Sequence, residues 1–171
     1  MAAPLISAII CTHNREQYLG AAIDSLLKQT LEHYEVIVVD NASTDGTADV
    51  AKARLGNPNV RYIYESTLGL SVARNTGAQA AQGDIIAYLD DDAEASTGWL
   101  ASLVSVFEKN ERVAIAGGKV TLIWPPNAHP PTWLSADLSS GLGAYDLGNE
   151  LLYIQKSALT PRGLNYAVRK Q

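Results

Sequence analysis

From Leu5 to Leu89 the chain repeats one pattern: a short apolar run, a polar loop, then apolar residues at helical spacing. Leu5–Cys11 (LISAIIC) leads into polar Thr12, His13 and Asn14, after which Tyr18, Leu19, Ala22, Ile23, Leu26 and Leu27 recur three and four apart. Short apolar runs between polar loops predict buried strands, and the three-and-four recurrence predicts an amphipathic helix. The pattern returns as strand Tyr34–Asp40, loop Asn41–Thr47 and helix Ala48–Leu55, then as strand Val60–Glu65 and an Ala-rich helix from Ser71 to Gln82. Gly83 follows that helix where a C-terminal capping glycine is expected. Asp84–Leu89 is a fourth predicted strand, and it runs straight into Asp90, Asp91 and Asp92.

Ser96 reads as the N-cap of a helix whose face is Trp99, Leu100, Leu103, Val104 and Phe107, ending near Asn110. Val113–Ile123 predicts a strand interrupted by Gly117 and Gly118. Strands alternating with helices of this length imply an α/β fold, a mostly parallel twisted sheet with helices on both faces. Ligands of such sheets bind beyond the carboxyl ends of the strands, where every polar loop named here falls. From residue 123 the character changes. Trp124–Trp133 (WPPNAHPPTW) holds four prolines and two tryptophans, and Leu134–Gly148 lacks periodicity. We therefore divide the chain into an α/β core, residues 1–122, and an irregular region, residues 123–171, with short strands expected at Leu151–Gln155 and Tyr166–Val168.

Composition narrows the function. The 171 residues are 47% hydrophobic and 18% charged, ordinary for a globular domain. No apolar run approaches the roughly 20 residues that cross a bilayer, and Met1–Leu5 has no basic leader, so a cytoplasmic protein is expected. Cys11 is the single cysteine, which excludes an internal disulfide. The net charge of −5, with no basic stripe, argues against nucleic acid. An acidic protein that binds phosphate needs a metal or backbone amides to do so.

Asp90–Asp92 is the sharpest candidate. Three consecutive carboxylates at a buried strand's end repel one another, and a divalent cation relieves that repulsion; an acidic turn capping the next helix is the other reading. Asp40, also at a strand's end, suits either a base edge or a loop cap. Arg74 and Asn75 fit a nucleotide or a solvated helix face.

The blocks CTHNR (Cys11–Arg15), VVDNASTDGT (Val38–Thr47), GLSVARNTGAQAAQGD (Gly69–Asp84) and AYLDDDAE (Ala87–Glu94) together resemble, in order and spacing, the inverting glycosyltransferases of family 2, over about Leu5–Val120. The resemblance implies a GT-A fold that transfers a sugar from a nucleoside-diphosphate donor, UDP by preference, with Mn²⁺ or Mg²⁺ on the diphosphate. It implies that Thr12, His13, Asn14 and Arg15 line the base and ribose pocket, that Asp40 contacts the base, and that Arg74 lies near the nucleotide. Asp84 matches the acid opening the fourth strand. Asp90 and Asp92 match the two ends of the DxD motif, with Asp92 the direct metal ligand and Asp91 near the ribose. The expected acceptor is a saccharide or lipid-linked saccharide of a cell-surface or exopolysaccharide pathway, with peripheral membrane association.

Inverting transfer needs a general base for the acceptor hydroxyl. The family carries it in an acidic motif after the DxD, and Gly163–Gln171 resembles the lead-in to that motif. A truncated chain is thus expected, with the base beyond Gln171 and Glu150 or Asp146 as in-chain candidates. Trp124 and Trp133 are candidates for an acceptor platform, since sugar rings stack on aromatic faces. The alternatives are a nucleotidyltransferase of similar fold, which wants a glycine-rich basic loop after the first strand, and a non-catalytic nucleotide-sugar-binding module. A receiver domain needs acids at the first strand's end, and a dinucleotide oxidoreductase needs GxGxxG there; neither is present.

Overall fold

The apolar runs form the centre of a six-stranded sheet among the described residues, whose strands lie in the spatial order Val60–Glu65, Tyr34–Asn41, Ile6–Thr12, Ile85–Leu89, Asn165–Arg169, Ile115–Gly117. The computed structural model describes residues 5–125, 127–154, 161 and 163–170. Strands β1 (Ile6–Thr12), β2 (Tyr34–Asn41), β3 (Val60–Glu65) and β4 (Ile85–Leu89) pair in parallel. β5 (Ile115–Gly117) and β6 (Asn165–Arg169) complete the sheet, β6 lying antiparallel between β4 and β5. The sheet thus crosses the expected division at residue 122, because β6 returns to the core.

Period-two alternation gives each face of the sheet its own cluster. Ile6, Ala8 and Ile10 of β1, with Val36 and Val38 of β2, pack against α1 (Leu19–Leu26), α2 (Thr47–Lys52) and α4 (Trp99–Lys109). Ile9, Ile37, Val39, Ile86 and Tyr88 face the other way, toward α3 (Leu70–Ala80). The small face of α3 follows from proximity: a Cβ on Gly77 would stand 2.7 Å from Ile9 Cγ2.

Four local expectations change. α4 begins after Gly98, not at a Ser96 cap; the Gln29 side chain reaches across, accepting from Leu100 N and donating to Ser96 O. α3 ends at Ala80 with Ala81 extended, so Gly83 is no helix cap; a Cβ there would lie 2.8 Å from the Ile6 backbone. The strand expected over Val113–Ile123 is confined to Ile115–Gly117, followed by a bridge from Val120 to Tyr145. A Cβ on Gly117 would meet Pro161 and the Asn165 carbonyl, so tight packing rather than strand continuation governs this turn. Leu151–Ile154 is not strand, and Gln155 lies outside the described residues. α5 (Ala136–Gly141), capped by Ser135, is a short helix in the irregular region.

Candidate functional site

Parallel strands deliver their polar ends to one edge. There Thr12 ends β1, Asn41 ends β2 and Asp90 follows β4, and the start of α3 closes the side. The cleft between them measures about 410 Å³ and is lined by Cys11–His13 and Arg15, by Asn41, by Leu68–Leu70 and Ala73, and by Asp90–Asp92. Gly69 turns into α3 at φ +151°, a backbone that favours glycine, and its N–H donates to Asn41 Oδ1 at 2.7 Å. Asn41 Nδ2 donates to Thr67 O at 2.7 Å, so one amide fixes the whole wall.

The loops after β1 and β2 brace each other. Asn14 N donates to Ser43 Oγ, Thr44 N to Asn14 Oδ1, Arg15 N to Thr47 Oγ1 and Gly46 N to Glu16 Oε2. His13 Nδ1 lies 2.7 Å from Asn41 O and Nε2 lies 3.2 Å from Asn14 Nδ2, a pattern met by a ring with its proton on Nδ1. Thr12 Oγ1 is buried without a partner in hydrogen-bonding geometry, although it stands near enough to Asp91 to favour that carboxylate.

Asp40 is placed differently from its neighbours. It is fully buried, accepting from Tyr62 Oη at 2.7 Å and from Ser43 N at 3.0 Å, and it does not line the cleft. Alternation turns it to the α2 side of the sheet, while Asn41, which sequence reasoning passed over, faces the cleft. The usable signal was the strand's period: Val39 and Asn41 share one face.

Burial pushes the Asp90 carboxyl above its ordinary range; Arg74 opposes the shift, and Asp92 and Asp91 add to it. Burial likewise raises Asp91, against the Thr12 hydroxyl and Arg15. The guanidinium contacts, Arg74 to Asp90 and Arg15 to Asp91, are both 3.8 Å, too long to be tight pairs. Arg74 also donates to Gly163 O and lies over the Tyr88 ring, joining α3 to β4 and to the approach to β6. Hard carboxylate oxygens short of compensating charge suit Mg²⁺ or Mn²⁺. No group of three or more His, Cys, Asp or Glu side chains forms a complete cage among the described residues. A cation that takes its remaining ligands from phosphate and water needs only one or two carboxylates.

Asp92 also lines a second cleft of about 390 Å³, with Glu94, Trp99, Lys119 and Asn165. Asn165 is its buried strut, Oδ1 accepting from Trp99 Nε1 at 2.8 Å and Nδ2 donating to Lys119 O at 3.1 Å. Of the candidates beyond β5, Asp146 pairs with Lys119 at 2.5 Å and lines a third cleft with Trp124. Glu150 is exposed and lines neither cleft that contains Asp92. Trp133 is 70% exposed and does not line the third cleft with Trp124. Asp84 is exposed at the opposite edge, just before β4.

Comparisons with known proteins meet this geometry. The model of the family described as Glycosyl transferase family 2 matches residues 7–167. The chain is 36% identical over 109 residues to the uncharacterized glycosyltransferase EpsJ of Bacillus subtilis (strain 168), covering 63% of this chain and 32% of that protein. The mannosyltransferase PcManGT from Pyrobaculum calidifontis, solved in complex with GDP-Man and Mn²⁺, superposes with a TM-score of 0.61 at 27% identity, over 67% of this chain and 35% of that one. S. aureus TarS 1–349 superposes with a TM-score of 0.72 at 20% identity, over 96% and 47%, a likeness of fold. The chain spans about a third of the length of the curated relatives it matches, as the 32% coverage of EpsJ illustrates. With Cys11–Arg15, Asn41, Gly69 and Asp90–Asp92 of the family's blocks at one sheet edge, and a match that runs from β1 into β6, the chain belongs to glycosyl transferase family 2 and has the GT-A fold.

Proposed function

We propose that the first cleft binds a nucleoside-diphosphate sugar, and that the protein moves the sugar with inversion to an acceptor hydroxyl entering through the second cleft. One observation carries this reading: Asp92 lines both clefts, so a bond broken beside it is open to donor and acceptor from different sides.

In this reading the base and ribose lie along Thr12–Arg15 and Asn41, with the His13 ring held by Asn41 O. Asp91 accepts from a ribose hydroxyl. Arg15 and Arg74, only loosely held by Asp91 and Asp90, turn toward phosphate oxygens. Asp40 supports the base pocket from behind by anchoring Ser43. Mn²⁺ or Mg²⁺ held by Asp92, with help from Asp90, would stabilise the negative charge of the departing diphosphate. PcManGT, with its nucleotide sugar and Mn²⁺, supports both the donor class and the metal. Neither Asp146 nor Glu150 lines a cleft with Asp92, so neither is proposed as the general base. A saccharide or lipid-linked saccharide is the proposed acceptor. Among the described residues no helix is long and apolar enough to cross a membrane.

Calorimetric titration with UDP and with GDP, with and without Mn²⁺, tests the donor reading on the native chain and on Asp92→Ala. The expected result is Mn²⁺-dependent binding of one nucleotide, weakened at least tenfold by the substitution. No binding of either nucleotide under any metal condition overturns it.

A further inference from the structure

We infer that the Lys119–Asp146 ion pair makes the second cleft selective for an uncharged saccharide over an acidic one. The inference rests on the acceptor reading of that cleft and adds the chemical class of the acceptor.

Lys119 stands at a boundary, lining both the second cleft and the third, whereas Asp146 lines the third alone. The two side chains meet at 2.5 Å. Asp146 is itself held by Gly148 N, which donates to Oδ1 at 2.8 Å. Its backbone neighbour Tyr145 pairs with Val120, one residue beyond Lys119, through hydrogen bonds of 2.7 and 2.9 Å. The carboxylate lines the third cleft and not the second, so the ion pair holds the ammonium toward the third.

What remains in the second cleft is negative. Asp92 and Glu94 line it, and neither has a Lys, Arg or His partner within 4.0 Å among the described residues. Trp99 and Asn165 give it a rigid neutral floor, because the amide of Asn165 is spent on the indole and on Lys119 O. Such a surface offers hydroxyl acceptors and a ring edge to a neutral sugar. A carboxylate on the incoming sugar meets Asp92 and Glu94 with no free side-chain cation among the described residues that line the cleft. A divalent cation on Asp92 cancels that carboxylate's share of the repulsion, its remaining charge is taken by the diphosphate, and Glu94 is left unpaired. Releasing Lys119 from Asp146 returns a positive charge to the cleft wall and reverses the preference.

The test is NMR titration of the Trp99 indole N–H, assigned through Trp→Phe variants, with methyl β-D-glucopyranoside and with the matching methyl glucuronide. The native chain, Asp146→Asn and Asp146→Asn/Lys119→Met are compared, each in the presence of Mn²⁺ and UDP. The native chain is expected to favour the neutral sugar by about fivefold, the size of one solvent-screened charge contact. Asp146→Asn brings the two affinities together or reverses them, and the double variant restores the native order. Equal affinities in the native chain, or a preference unchanged in Asp146→Asn, overturn the inference. If UDP binds while neither sugar moves the Trp99 signal, the inference falls and the donor reading stands. If the sugars discriminate as expected while UDP fails to bind, the donor reading falls instead. Both pair members are about half exposed, so the variants are expected to fold, which circular dichroism checks.

Discussion

At the scale of single residues, strain and buried charge mark the positions that matter. Ala42 adopts φ +58° in the loop after β2, where a Cβ is disfavoured by about 1–2 kcal/mol. Ala42→Gly removes that strain but adds freedom to the unfolded chain, and the net expectation is a stabilisation of about 0.5 kcal/mol. Urea unfolding decides it, and a lower midpoint would show that the loop carries no strain at this residue. The opposite edge of the sheet depends on Glu35, which is 5% exposed. It accepts from Ser7 Oγ, Gln82 N and Arg61 Nη1, and Ser7 Oγ in turn accepts from Gly83 N. Glu35→Ala leaves Ser7, Gln82 and Arg61 without their acceptor, a loss of about 3 kcal/mol, at the low end for a broken buried pair because Arg61 retains access to water. Glu35→Gln keeps the neutral acceptor and is expected to lose about half as much, which the same unfolding series measures. Because this edge is far from Asp92, nucleotide affinity is expected to be unchanged in both variants.

At the scale of elements, hydrophobic period read the strands well and read helix ends poorly. β1 to β4 fall within a residue of their predicted bounds, since β1, β2 and β4 are centred on continuous apolar runs and β3 is set off by Asn57–Pro58 before it and a polar loop after it. The start of α4 was not legible at Ser96 because its capping groups come from Gln29, which is distant in sequence. β5 was overextended because Gly117 serves close packing against Pro161 and Asn165, a contact that no local pattern encodes. The role of Arg169 was hidden for the same reason. From β6 it donates to Phe107 O at 2.7 Å, Asn110 O at 3.3 Å and Val113 O at 3.1 Å, and its guanidinium lies over the Phe107 ring. A cation at a helix C-terminus satisfies carbonyls and opposes the helix dipole. Arg169→Ala is therefore expected to destabilise by about 2 kcal/mol and to speed hydrogen exchange in the last turn of α4. Unchanged exchange there, with the stability loss present, would place the effect in β6 instead.

At the scale of the whole molecule, the site is a product of topology. Cys11–Arg15, Asn41, Leu68–Ala73 and Asp90–Asp92 are remote in sequence, and parallel pairing brings them to one edge. The carboxylates of that set were legible because residue type alone suggests their chemistry, whereas Arg15 entered only through the resemblance of the CTHNR block. Asn41 was not, since an amide after an aspartate looks like an ordinary turn residue until the strand's facing is known. The braces around the cleft join separate segments: Asn41 to Thr67 and Gly69, Arg74 to Gly163, Asn14 to Ser43 and Thr44. A ligand spanning these segments binds the folded state and not the unfolded chain, so on the proposed donor reading nucleotide and metal stabilise the fold together. At a ligand concentration of 100 times Kd the gain is about 2.7 kcal/mol, or roughly 5–10 °C in Tm for a domain of this size. UDP, or GDP if that is the donor base, is expected to give this rise only with Mn²⁺ present. Asp92→Ala is expected to abolish the rise while leaving the ligand-free Tm within about 1–2 °C of the native value, because Asp92 is exposed and makes no ion pair among the described residues. A rise that persists in Asp92→Ala would move the metal to Asp90 and Asp91. A rise that needs no metal would leave nucleotide binding to Arg15, Arg74 and the loop amides alone.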